Sequence, residues 1–508
     1  MTSTLRVDMT GRPSRPGVSR RAFLAGALGS AGLVLTGCDA MPSTSPVSAP
    51  DVARRLAIPP LAAARVEGGT RIFELTARAG TTEFMSGTET RTWGFNGAHL
   101  GPTLRATRGE RVAVEVSNEL DETTSVHWHG MHLPPQMDGG PHQSVEPGET
   151  WLPAWEIDQP AATLWYHPHP HGETEKHVYM GLAGLFLLDD DASQAATLPS
   201  EYGVDDVPVI VQDKKFDDAG QLTLDSDGNE VGLLGDVVMV NGTVGAYHEV
   251  TTGRVRLRLL NGSTARTYSF GFEDRQVDLV ATDGGLLPEP VRSDQVRLAP
   301  GERAEIVVEM TPGEAAVLRS SDPDLGGVAA PFAFGGNDTF DVLELRPAEG
   351  LEPSPEPEWV WEDTGLREAD AVVTRSFELQ GRKINGLRMD MNRIDEVVTV
   401  GDTEIWEVRN LHPVSHSFHV HDVQFRVLSV DGEPPPPELS GRKDTVYLEP
   451  NRTYRLIMRF EDYTDPDWPY MYHCHMLLHE DEGMMGQFVV VAPGQEAGEV
   501  PGSGHGHH

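Results

Sequence analysis

Cysteine is nearly absent: Cys38 and Cys474 are the only two in 508 residues. At most one disulfide could form, which excludes a bridged framework as the source of stability. Positive charge is also scarce. Against 78 acidic residues stand 40 Lys and Arg, a net charge of −38. Such a surface repels phosphate backbones and offers no basic stripe, so nucleic acid is excluded as a partner, and the acidity reads as a solvated exterior. Long apolar runs are missing as well. The run at residues 22–35 is too short to span a bilayer as a permanent helix, and no later segment is apolar for long enough. At roughly 100–200 residues per domain, the chain is too long for one core and should hold about three.

What the N-terminus does contain reads as an address. Ser19-Arg20-Arg21-Ala22-Phe23-Leu24 resembles a twin-arginine export signal, and Leu35-Thr36-Gly37-Cys38 resembles a bacterial lipobox. The two resemblances imply cleavage before Cys38 and export by the twin-arginine route as a lipoprotein. Residues 1–38 are then the signal and 39–63 a tether. The lipid on Cys38 is the only expected membrane attachment, on the outer side of the cytoplasmic membrane, in the periplasm or at the cell surface. Cys474 would be the sole thiol of the mature chain, without an intramolecular partner.

Glycine (53) and proline (38) are plentiful and punctuate short alternating runs such as "RVAVEVSN", "RVRLRLLN" and "EIWEVRN", the pattern of an all-β protein. The runs recur in a frame that starts on an Asn-Gly pair at Asn96, Asn241 and Asn385. The repeat is about 145 residues, close to one β-sandwich with its connections. Three copies of one sandwich are expected at residues 64–193, 203–347 and 373–494. The proline- and glutamate-rich stretch 348–372 reads as an extended linker, and 495–508 as a disordered tail containing His505, His507 and His508.

The first and third repeats carry paired histidines that the second lacks: His127-Trp128-His129, His167-Pro168-His169, His419-Val420-His421 and His473-Cys474-His475. On a strand, residues i and i+2 share a face, so each pair presents two imidazoles side by side to one metal site. Eight convergent imidazoles exceed the needs of one ion. The stretch "YMYHCHMLLHEDEGMM" at residues 470–485 gives the lone cysteine its work. If His473 and His475 face one way, Cys474 faces the other, and its thiolate meets a separate metal. His479 follows by five residues, Met484 by another five, and His416 precedes His419. Two imidazoles, a thiolate and a long axial thioether describe a blue-copper electron-transfer site.

In combination, "HWHG", "HPHPHG", "HSFHVH" and "HCHMLLHEDEGMM" resemble the multicopper oxidase family, of the three-cupredoxin-domain, laccase-like kind, over residues 64–494. "MGLAGLFLLDD", "DVPVIVQDKKF", "RLRLLNGSTAR" and "ATDGGLLPEPV" are similar to its bacterial cuprous oxidase and copper efflux branch, with bilirubin oxidases and spore-coat laccases as relatives. A monomer is expected, and the resemblance implies an all-β fold of three cupredoxin-like Greek-key β-sandwich domains holding four copper ions. It assigns His416, Cys474, His479 and Met484 to a type 1 site and His127 and His419 to a type 2 copper. His129, His167, His169, His421, His473 and His475 go to a type 3 pair. Asp138 and Glu480 match positions that supply protons in similar enzymes, on the type 2 and type 3 sides respectively.

The implied reaction is one-electron oxidation of an outside reductant at type 1 copper, coupled to four-electron reduction of dioxygen to water. The cuprous branch commonly carries a methionine-rich insertion in the third domain and a Met/Asp site beside type 1 copper. Here residues 348–372 contain no methionine, and His416 is preceded by His412-Pro413-Val414-Ser415. Phenols and aromatic amines are therefore the expected reductants. Cu(I) oxidation in copper homeostasis is the alternative, with Met389 and Met391 as its soft ligands. Some exported proteins of this fold serve as copper-free structural or cell-division factors, but the complete ligand set argues against that role. His132, His171 and His412 fall outside the pattern as supporting or surface residues, and the second repeat, with only His248, is expected to be a spacer.

Overall fold

The computed structural model describes residues 53–361, 363 and 365–501. The signal, the lipobox, Cys38 and the three tail histidines lie outside the described residues. Six sheets form three successive pairs. In the first, the sheet containing Thr70–Met85 and Arg111–Asn118 faces one containing Leu104–Thr107, Gly184–Asp189, Ala162–His167 and His127–His129. Val112, Val114 and Val116 alternate inward from one sheet and meet Trp128, Leu164, Tyr166 and Phe186 from the other. The third pair is built likewise around Trp406, Phe418, Tyr472 and Phe488. Strand His416–Val420 there runs antiparallel to Tyr470–Cys474, so Phe418 lies opposite Cys474 and His419 opposite His473.

The second pair departs from simple alternation. In Arg254–Asn261, Val255, Leu257 and Leu259 enter the core, but Arg256 and Arg258 on the other face are buried too. Their charges are matched: Arg258 meets Asp206 at 2.6 Å and Glu305 at 2.9 Å, and also donates to Thr163 of the first sandwich. Buried charge is tolerated only when paired in this way. An apolar cluster of Trp165, Leu185 and Leu187 with Ile210 and Leu260 closes the same seam.

Three segments are more tightly held than the sequence suggests. Within the expected tether, Arg54 and Arg55 add a parallel strand to the second sandwich beside Ala246 and Tyr247, and Leu56 enters its core. The expected linker begins as strand, Phe340–Glu352, and Trp359 then donates to the carbonyls of Leu287 and Pro288. Residues 495–501, expected to be disordered, lie along the third sandwich: Gly498 and Glu499 donate to Pro466 and Asp467, and Val500 is buried. No helix among the described residues is long and apolar enough to cross a membrane.

One helix junction ties all three sandwiches. Helix Thr174–Met180 has no capping side chain of its own. Asp481, at the end of helix Leu477–Asp481 in the third sandwich, accepts instead from the amides of Thr174 (2.8 Å) and Glu175 (2.9 Å). Its oxygens satisfy two free N–H groups of helix Thr174–Met180, while burial, and then the neighbouring Glu480, push the pKa of Asp481 up to about 8. Glu175 in turn accepts from Leu233 of the second sandwich at 3.0 Å.

Candidate metal centres

Cys474 faces away from its histidine neighbours. Its Sγ lies 3.3 Å from His416 Nδ1 and 3.5 Å from His479 Nδ1, and those two nitrogens are 3.2 Å apart. All three residues are buried. Met484 is buried in the same apolar cluster, and its carbonyl accepts from the Cys474 amide at 3.0 Å. Burial pushes the Cys474 thiol up to about 12, so forming the thiolate requires a cation that displaces the proton.

The eight paired histidines converge where the first and third sandwiches meet. They fall into a His127–His419 pair and two triads, His129–His167–His475 and His169–His421–His473. This corrects one expectation. Each i, i+2 pair faces the same cluster, but its two members go to different groups. The two rings of a pair aim their inner nitrogens at different partners.

The outer nitrogens of these rings decide what the inner ones can be. His127 and His419 turn Nδ1 to the carbonyls of Asp138 (2.9 Å) and Asp444 (2.8 Å), and His167 to that of Pro168 (2.7 Å). His421 Nδ1 meets Asp138 Oδ2 at 2.7 Å. His169 and His473 place Nδ1 3.3 and 3.0 Å from the two oxygens of Glu480. With hydrogens on the outer nitrogens, the inner ones carry lone pairs, yet they face one another at 3.2–3.4 Å. Lone pairs opposed in a dry interior need a cation between them, so the donor set fits metal ions.

Asp138 therefore touches both the pair and a triad: beyond its bond to His421, its Oδ1 is 3.4 Å from His127. Glu480 touches only the triad His169–His421–His473. Both carboxylates are buried. The other histidines lie elsewhere. His171 is exposed, His248 bonds Val204 O inside the second sandwich, and His132 bonds Asp422. The ring of His412 lies 5.5 Å from that of His416.

Burial first, and then neighbouring charges, hold His129, His167, His416, His419 and His421 well below the ordinary histidine range. His169 and His475 fall to about 3 and His479 to about 4, with burial again the main cause. Above pH ~6.5 such groups are neutral in both folded and unfolded chains. Below it the unfolded chain takes up protons that the folded one refuses, so stability falls with pH, by up to about 1.4 kcal/mol per unit for each residue. We expect the copper-free protein to show a steep decline in Tm as the pH falls from ~6.5 to ~4. Calorimetry across that range checks it, and a constant Tm down to pH 5 would contradict neutral buried imidazoles.

Sequence reasoning missed several contributors. Glu230 of the second sandwich caps the Cys474 group: its carbonyl accepts from His479 Nε2 at 2.7 Å. Asp444 and Thr445 lie 3.0 and 2.9 Å from His129 Nε2, and Arg303, again of the second sandwich, pairs with Asp444 at 2.6 Å. The second sandwich supplies none of the grouped histidines and is nonetheless no mere spacer.

Residues 76–193, 213–317 and 363–494 each match a family model described as multicopper oxidase. Multicopper oxidase Mco of Staphylococcus haemolyticus is 36% identical over 431 residues, 83% of this chain and 89% of that protein. Cell division protein FtsP of Dickeya dadantii is 37% identical over 490 residues, 94% of this chain and 99% of that one. Among solved structures, the laccase-like multi-copper oxidase CueO from the lignin-degrading bacterium Ochrobactrum sp. superposes with a TM-score of 0.78 at 34% identity. That match covers 86% of this chain and all of the other.

Proposed function

The chain belongs to the multicopper oxidase family, and on that premise we propose that it oxidises phenols or aromatic amines one electron at a time while reducing dioxygen to water. The observation that carries this reading is the strand Tyr470–Cys474 with His475 beyond it. Cys474 belongs to the single-thiolate group, and His473 and His475 belong one to each triad. Four bound coppers would supply the electron transfer, one taking electrons singly and three delivering them together to dioxygen.

The protein's own part is to hold, orient and exclude. His416, Cys474, His479 and Met484 would hold the type 1 ion in a buried apolar setting that limits rearrangement and keeps water out. Asp138 and Glu480 orient four cluster imidazoles and are the acids placed to hand on protons there. His479 Nε2 bonds the carbonyl of Glu230, an exposed residue, so an organic donor resting on Glu230 would stand one hydrogen bond from a type 1 ligand. The described activity of the Ochrobactrum relative towards lignin model compounds supports phenolic substrates.

A second reading, oxidation of Cu(I), draws on Met389. Its amide donates to Gly483 O at 2.9 Å, placing a soft thioether residue against the turn that precedes Met484. Oxygen uptake by the copper-loaded protein separates the two. Uptake with 2,6-dimethoxyphenol alone fits the phenol oxidase. Phenol oxidation that appears only with added Cu(II), alongside rapid uptake with Cu(I), overturns it in favour of the cuprous oxidase. A protein that retains no copper after loading would instead favour a structural role, such as cell division, the function that the name of the FtsP relatives gives.

A further inference from the structure

Among the eight cluster imidazoles, His129 is turned around. His127, His167, His169, His419, His421, His473 and His475 all face a neighbour through Nε2, whereas His129 faces His167 through Nδ1 at 3.4 Å. Its Nε2 points outward to Asp444 Oδ1 (3.0 Å) and Thr445 Oγ1 (2.9 Å). The Thr445 hydroxyl donates to the same Asp444 oxygen at 2.8 Å, which leaves its lone pair for the His129 N–H. Both partners therefore require hydrogen on Nε2 and leave Nδ1 bare.

Asp444 is itself fixed by Arg303. Arg303 Nη1 donates to Oδ1 at 2.7 Å and Nη2 to Oδ2 at 2.6 Å. The remaining donors reach the carbonyls of Thr163 (2.9 Å), Gly301 (3.1 Å) and Asp283 (3.2 Å), so all five N–H groups of a fully buried guanidinium have acceptors. The fork engages both oxygens of Asp444, which stand within reach of His129 and His419. Behind it, Lys443 bonds Asp283 (3.0 Å) and Glu302 (3.2 Å), completing a buried cluster of two cations and three carboxylates. The turn leading to Arg303 presses on the cluster as well. Gly301 has φ +84°, and a Cβ there would stand 2.9 Å from His475 Nδ1.

We propose that the Arg303–Asp444 pair is a positioning element that sets the tautomer of His129, keeping Nδ1 bare and aimed at its triad. The second sandwich thereby controls a metal site to which it gives no ligand. Its copper arm rests on the oxidase reading, and its tautomer arm does not. Asp444→Asn is the informative variant. An amide offers a donor where the carboxylate had two acceptors, so either orientation sets N–H against N–H, towards Arg303 or towards His129.

The first measurement is long-range 1H–15N correlation of the histidine rings in the copper-free full chain. Wild type should show His129 protonated at Nε2, and Asp444→Asn a mixture of tautomers. After loading, Asp444→Asn should bind copper at the His129 triad about 10–100-fold more weakly, lowering copper per chain from four towards three while the blue type 1 band stays unchanged. Arg303→Lys, which keeps the charge but not the fork, should fall between. If Asp444→Asn does not fold, the charge-balanced Arg303→Met/Asp444→Asn double variant carries the same comparison. An Nε2-protonated His129 with undiminished copper in the folded variants overturns the proposal. A wild-type protein that takes up no copper overturns the oxidase reading and leaves the tautomer result standing.

Discussion

Cys474→Ser is expected to end oxygen consumption in the copper-loaded protein, a loss of at least ~1000-fold, or about 4 kcal/mol of barrier. The reason is geometric as much as chemical. Cys474 Sγ lies between His416 and His479 as the sulfur that can become a thiolate when a cation displaces its proton, and its flanking residues belong to the two triads. Serine keeps the strand but cannot supply a thiolate, so the route from reductant to cluster is broken while all eight cluster histidines remain. Metal analysis should find about three coppers in place of four, and the blue absorption should be gone. Retained turnover would mean that electrons reach the cluster by another path, and the role assigned to the strand would fall.

Asp138→Asn should lower turnover by ~100-fold or more, within the range for a lost acid–base group, and leave the blue band unchanged. The amide can keep the shape and still accept from His421, but it cannot carry a proton onward. The position of Asp138 is strictly held. Gly139 beside it has φ +78°, and a Cβ there would lie 1.7 Å from Val126 O, so the chain can turn at this point only with glycine. Steady-state rates across pH, with absorbance as the control for the type 1 site, test the assignment. Full activity with an unaltered pH profile would remove Asp138 from the proton path.

The strands and the metal-facing histidines were legible because they follow local rules. Alternation in "RVAVEVSN" exposes one face of a sheet, and histidines two apart share a face wherever the strand lies. What local spacing could not reveal is how such a pair is divided between ions, since that depends on where the partner sandwich stands. The Glu230 cap was invisible for a different reason: the working atom is a main-chain oxygen, which every residue possesses. Arg303 and Asp444 are 141 positions apart, and in a chain with this many charged residues nothing in composition or period singles the two out. Arg54 and Arg55 read as tether because two residues are too short for any periodic signal.

The distances along the chain give the site a history as well as a shape. His127 meets His419 across 292 positions and His167 meets His475 across 308. At ~5–20 residues per second, roughly 15–60 s of synthesis separate the two halves of one metal group. Through that interval the first sandwich can be complete while its histidines have nothing to close against, and the helix at Thr174 waits for the carboxylate of Asp481. A chain stopped before Tyr470 would carry more than nine-tenths of the sequence and none of the triads. The triads and the Cys474 group thus report on completion: they exist only once the last strands have been made and have found the first.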